Sequence, residues 1–190
     1  MNFIEIRAFG QMRSGNHAII QWLLDQHSGH PCCFLNNVRH GDFDPYTIYA
    51  QRVLAGIPED IESETLRALD KRVLVYSYED QGGASADGPD FLGSVFSPAF
   101  ERHRAGYLGP SKHRYDLAII RDPFNFFASR IQFIRTRGGW GGVKDLDDIR
   151  RDWKKIARFA LETERGADPQ RLAVKFNPVS YTHLRAHETV

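Results

Sequence analysis

The stretch FGQMRSGNHAIIQWLL, residues 9–24, limits the possible folds of this chain more than any other segment. Before it, NFIEIRAF has the β-branched and aromatic content of a strand. After it, NHAIIQWLLDQH repeats apolar residues at helical spacing. Gly10 and Gly15 lie between the two, where the chain must reverse its character within a few residues. A helix that opens at Asn16 points unpaired N–H groups and the positive end of its dipole into the loop, which favours an anion there. Arg13 adds a full charge beside it. A tight strand-to-helix turn without any ligand has the same local pattern.

The rest of the chain continues the alternation. PCCFLNNV predicts a second, buried strand and RHGDFDP a polar loop, while residues 46–54 and 61–69 read as helices on either side of Pro58. RVLVYSY predicts a third strand that runs into Glu79 and Asp80, and YDLAII a fourth. DPFNFFASRIQFIRT reads as a helix with Asp122 as its cap and Pro123 in its first turn. DLDDIRRDWKKIARFALETE is an amphipathic helix whose charges form an exposed face, and RLAVKF is a last strand. Residues 81–112 are rich in Gly, Ser, Asp and Pro but carry Phe91, Phe96, Phe100 and Tyr107, the pattern of a lid or binding loop. A second loop sets Trp140 among glycines. These elements imply one α/β domain, a parallel β-sheet flanked by helices, with ligands at the carboxyl ends of the strands.

At 190 residues the chain has room for one such domain with a good core. A formal charge of +1 argues against a general nucleic-acid partner, although the arginines gathered in residues 114–137 suit a small anion. No apolar run approaches a membrane span and the first residues lack the order of a signal peptide, so a cytoplasmic location is expected. Cys32 and Cys33 adjoin in an apolar run, which predicts buried free thiols, neither a disulfide framework nor a metal site. The final VSYTHLRAHETV can be back-translated into codons that resemble a transposon-type sequencing adapter read in frame. Residues 179–190 are therefore set aside as a non-native tail, and residues 1–178 are expected to be a domain cut short at its C-terminal side.

A P-loop reads G-x-x-x-x-G-K-[ST]: backbone N–H groups cradle phosphates, the lysine reaches the transferred group and the hydroxyl holds Mg²⁺. Gly10 and Gly15 keep that spacing, but Asn16 and His17 replace the lysine and the hydroxyl. The second constellation is IIRDPFNFFASR, with Arg121 at a strand end and Ser129 eight residues later in the next helix. Together with the RSG loop, it resembles the nucleotide-binding elements of sulfotransferases that use 3′-phosphoadenosine-5′-phosphosulfate (PAPS). The resemblance implies a P-loop-like sulfotransferase architecture in which Arg13, Ser14, Gly15, Asn16 and His17 hold the 5′-phosphosulfate and Arg121 and Ser129 hold the 3′-phosphate. It implies transfer of a sulfuryl group from PAPS to an acceptor hydroxyl or amine, on a small molecule or a carbohydrate. It also implies no metal, because a sulfuryl group carries less negative charge in transfer than the phosphoryl group that Mg²⁺ serves. Arg13 and the loop N–H groups would then neutralise charge on the leaving phosphate. The chain departs from the family pattern at Asn16 and His17, which replace a threonine pair. It departs again at Ala18, where cytosolic members often place a tryptophan against the adenine; Trp22, one turn on, is expected to pack in the core. The family's late basic, glycine-containing segment is absent.

Transfer to a hydroxyl benefits from a general base. Glu79 follows the third strand, near the position of a histidine in cytosolic relatives and of the same chemical type as the base of several carbohydrate sulfotransferases. His40, after the second strand, and His17, in the loop, are the other candidates. Arg135, Arg137 and Lys175 suit either phosphate contacts or solvated element ends. Two other functions remain open: an NTP-dependent kinase of P-loop type, against which the missing Lys-Ser/Thr pair counts, and a nucleotide-binding module without catalysis.

Overall fold

The computed structural model describes residues 1–36, 38, 44–48, 52–78, 98–137, 146–166 and 168–176. β1 (Asn2–Phe9) leads through the glycine loop into α1 (Asn16–Asp25). The chain then forms β2 (Cys32–Leu35), α2 (Pro45–Ile48), β3 (Arg52–Ala55), α3 (Ser63–Ala68) and β4 (Lys71–Ser77). It continues with α4 (Pro98–Leu108), β5 (Ser111–Arg121), α5 (Pro123–Arg137), α6 (Leu146–Arg165) and β6 (Arg171–Phe176). The six strands form one sheet in the order β3-β2-β4-β1-β5-β6, parallel throughout except for the β2–β3 pair. After β1 the chain fills one side of the sheet and then crosses to the other. The carboxyl end of β1 therefore lies at the point where the winding reverses, the usual position of a ligand crevice in open α/β sheets.

Apolar residues line both faces of the sheet, as strands covered on both sides require. Ile6, Ala8, Val73, Val75, Leu117 and Ile119 pack with Ile20 and Leu24 of α1. Phe9, Leu74, Tyr76, Tyr78 and Ala118 pack on the other face with Leu66, Leu108 and Phe159 of α3, α4 and α6. Cys32 and Cys33 fall on opposite faces, both buried and both free thiols. Among the described residues no helix is long and apolar enough to cross a membrane.

Two expectations are corrected. The helix anticipated over residues 46–54 is helical only at Pro45–Ile48; Arg52–Ala55 instead pairs antiparallel with Cys32–Leu35. Hydrogen bonding along an open sheet edge overrides the weak local helical pattern, and Gly56 at φ +67° ends the strand. Residues 81–112, expected as a loop, contain α4. This helix escapes an apolar-periodicity reading because much of its hold on the sheet is ionic. Residues 81–97 and the glycines around Trp140 lie outside the described residues, as does the tail.

The ionic hold centres on Glu5, whose side chain is 1% exposed. Arg104 of α4 donates to both of its carboxylate oxygens at 2.8 Å, Ser111 Oγ donates to Oε2, and Arg114 Nε lies 3.3 Å from Oε1. Next along β1, Arg7 makes a paired contact with Asp116 at 2.9 Å and approaches Glu101 of α4 at 3.3 Å. The Tyr78 hydroxyl donates to Glu101 at 3.0 Å and the Tyr76 hydroxyl at 3.4 Å. Burial, reinforced by the nearby Glu101 charge, pushes both phenols well above their usual range and keeps them as donors. Arg104→Ala is expected to lower unfolding free energy by about 3 kcal/mol, because it strips the main partner from a buried carboxylate. Adding Glu5→Gln should recover part of that loss in urea unfolding, since the unmatched charge is then gone. A loss that Glu5→Gln only deepens would contradict the assignment.

Candidate functional site

Parallel register brings the site's parts to one edge of the sheet. Phe9 pairs with Ala118 and Arg121 with Phe176, so the glycine loop, the start of α5 and the end of β6 lie side by side. Ser14 N–H closes a turn on the Gln11 carbonyl at 3.0 Å, and Ile19 N–H bonds to the Gly15 carbonyl at 3.1 Å as α1 begins. Arg13 and Gly15 both adopt left-handed backbone, at φ +73° and +89°.

Each glycine of the motif answers to a particular side chain. Asn16 is buried and its amide turns back under the loop, donating to the Gln11 carbonyl at 3.2 Å. A Cβ on Gly10 would come within 2.0 Å of the Asn16 amide oxygen. A Cβ on Gly15 would come within 2.4 Å of the Phe176 ring, in addition to its strained φ. Ser14 is also buried and its backbone N–H is engaged with Gln11, so the backbone N–H groups that open α1 are better placed to meet an anion than the Ser14 and Asn16 side chains. His17 is exposed, with its ring edge-on to Phe34 at 5.8 Å.

The two sequence motifs touch. Arg121 Nη1 donates to the Arg13 carbonyl at 3.1 Å, and Arg13 Nε donates to Ser129 Oγ at 3.3 Å. The Arg13 guanidinium also lies over Phe133, one turn beyond Ser129, at 5.3 Å from the ring centre. At the start of α5, Asp122 Oδ1 accepts the Asn125 backbone N–H at 3.0 Å and Oδ2 accepts the Asn125 amide at 2.8 Å. These bonds hold the Asp122 carboxyl below its ordinary range.

Helix α6 braces both halves. The Trp153 indole N–H donates to the Arg121 carbonyl at 3.0 Å, and Gln11 donates to the Ile149 carbonyl at 3.2 Å. The sequence carries no local signal for Gln11, Trp153 and Phe176, whose roles come from contacts between distant segments. Trp22 is 58% exposed rather than packed in the core, because it falls on the outward face of α1, away from Ile20 and Leu24. Arg135 and Lys175 are exposed on α5 and β6, and Arg137 is the last residue of α5. Glu79 and His40 lie outside the described residues.

The arrangement is suited to an anion with more than one charged group. Among the described residues no carboxylate lies within ion-pair distance of Arg13 or Arg121. Arg121 Nε is shielded from water and has no acceptor among those residues. The first N–H groups of α1 have no acceptor within the helix, and its positive end faces the loop. Compared with known proteins, the sequence matches no family model, no curated protein and no solved structure.

Gly15→Ala is expected to lower stability by about 1–2 kcal/mol from left-handed strain alone, and by more through collision with Phe176. In a Phe176→Ala background the cost should shrink to the strain component. Urea unfolding of the four variants measures this; equal costs in both backgrounds would mean that the ring does not press on Gly15.

Proposed function

We propose that this chain is the donor-binding domain of a sulfotransferase that moves a sulfuryl group from PAPS to an acceptor hydroxyl or amine, with carbohydrates among the acceptor classes. The observation that carries this reading is the contact between its two motifs, Arg121 to the Arg13 carbonyl and Arg13 to Ser129. Two phosphate groups on one nucleoside need two cationic subsites within one cleft, and these residues supply them. Arg13 and the N–H groups of residues 15–17 would hold the 5′ group; Arg121 and Ser129 would hold the 3′-phosphate. The donor supplies an already activated sulfuryl group, so the residues around it need to orient it and neutralise the leaving phosphate, a task for guanidinium and backbone dipoles. An arginine suits that role because its planar fork matches phosphate oxygens and stays charged.

Arg121→Ala is expected to weaken binding of adenosine 3′,5′-bisphosphate by roughly tenfold or more, the worth of a charge-assisted contact, while adenosine 5′-phosphate changes little. Calorimetric titration of both ligands checks this. Equal losses would place Arg121 elsewhere in the binding scheme, and Mg²⁺-dependent ATP turnover would favour the kinase reading.

For the base we assign Glu79, with His40 and then His17 as successors. The support is that Ser77, two residues before Glu79, pairs with Ala8 just below the glycine loop. Glu79→Gln is expected to keep donor affinity while transfer slows by about 10²–10⁴-fold, the usual contribution of a positioned base. Rapid-quench assay of sulfuryl transfer gives the answer. Normal transfer would exclude Glu79, and binding without any transfer in the unmodified protein would favour a non-catalytic module.

A further inference from the structure

We propose a second oxyanion site at the amino edge of the sheet, built on Phe3, Arg72, Lys112 and His27, that takes a phosphate- or sulfate-bearing ligand. Cross-strand register creates it. Asn2 pairs with Lys71 and Ser111, and Ile4 with Val73 and His113, so Phe3 on β1 sits level with Arg72 on β4 and Lys112 on β5. The Arg72 guanidinium lies 4.1 Å from the Phe3 ring centre and the Lys112 ammonium 4.9 Å from it. His113 meets the same ring edge-on at 5.3 Å. One aromatic ring thus stacks with two full positive charges, one from the strand on each side of β1.

Nothing among the described residues cancels them. No carboxylate lies within ion-pair distance of Arg72 or Lys112, and Arg72 Nε is cut off from water with no hydrogen-bond acceptor. Asp70, beside them in sequence, is occupied by the N-terminal ammonium at 2.5 Å. Glu5, next along β1, is already matched by Arg104, Arg114 and Ser111. The segment after α1 adjoins this pair, since the Arg72 backbone N–H bonds to the Pro31 carbonyl, and it carries His27 and His30. The imidazole of His27 is held below its ordinary value by desolvation first and then by the charges of Arg72 and His30. Such a field repels protons and attracts anions. With no carboxylate to match them among the described residues, the two cations leave donors that an oxyanion-bearing ligand beside Phe3 can take as charge-assisted bonds.

This site is independent of the glycine-loop reading. The eight residues of β1 separate the two edges by roughly 25 Å, so each can be tested alone. The experiment is histidine-resolved NMR at low salt, titrating inorganic pyrophosphate in one arm and a sulfated disaccharide in the other, with pH titration of His27 at each end point. A bound oxyanion should raise the His27 pKa. Lys112→Ala, a change at an exposed side chain, and Arg72→Ala should each weaken the response by about tenfold, with affinity for adenosine 3′,5′-bisphosphate at the other edge unchanged. The tighter of the two probes identifies whether phosphate or sulfate esters are the ligand. No movement of His27 with either probe at millimolar concentration, or an undiminished response in both variants, would overturn the proposal.

Discussion

A carboxylate removed from water has to be matched, and Glu5 imposes that requirement on the central strand. Its partners come from α4 and β5, so helix and strand are fixed against β1 by charge geometry as well as by apolar packing. Arg7 extends the same constraint toward the glycine loop, matched by Asp116 and Glu101, with its guanidinium over the ring of Phe9 at 5.2 Å. Three carboxylates and three guanidinium groups balance one another beneath the residues that build the site. Apolar packing alone tolerates sliding and repacking, whereas bonds between charged groups demand one register. The alignment of β1 with β5, on which the meeting of Arg13 and Arg121 depends, is thus set from inside the domain.

The site's legibility divides along a physical line. Gly10 and Gly15 were readable because a short-range rule governs them, that a strand must turn into a helix, while Arg121 and Ser129 stood out through the resemblance of their spacing to a family motif. Phe176, Trp153 and Gln11 were not readable, because their roles arise only when distant segments meet. The ring that makes Gly15 obligatory sits at the end of β6, and the indole that anchors Arg121 sits on α6. The fold divides in the same way. Strands buried on both faces announced themselves by apolar content, but β3 is defined by its pairing with β2 and α4 faces the sheet with Glu101 and Arg104. A helix that docks through charges leaves no apolar stripe to find.

Net charge conceals a segregated distribution. The whole chain carries +1, yet positive groups collect at both ends of the central strands while the charges between them cancel in pairs. At the carboxyl edge the excess comes from Arg13 and Arg121 with the start of α1; at the amino edge it comes from Arg72 and Lys112 around Phe3. A low-dielectric sheet lies between, so each edge projects its own field into solvent. Composition alone registers none of this.

The contact between Phe176 and Gly15 also orders events in time. The loop belongs to the first elements synthesised, and the ring that backs it belongs to the last described strand. Closing so long a stretch of chain has an entropic cost that local structure does not repay, which makes such contacts late in folding. A growing polypeptide would therefore display strand, turn and helix well before the ring backed the glycine loop. The backed form of the loop becomes a property of the assembled sheet rather than of its first elements.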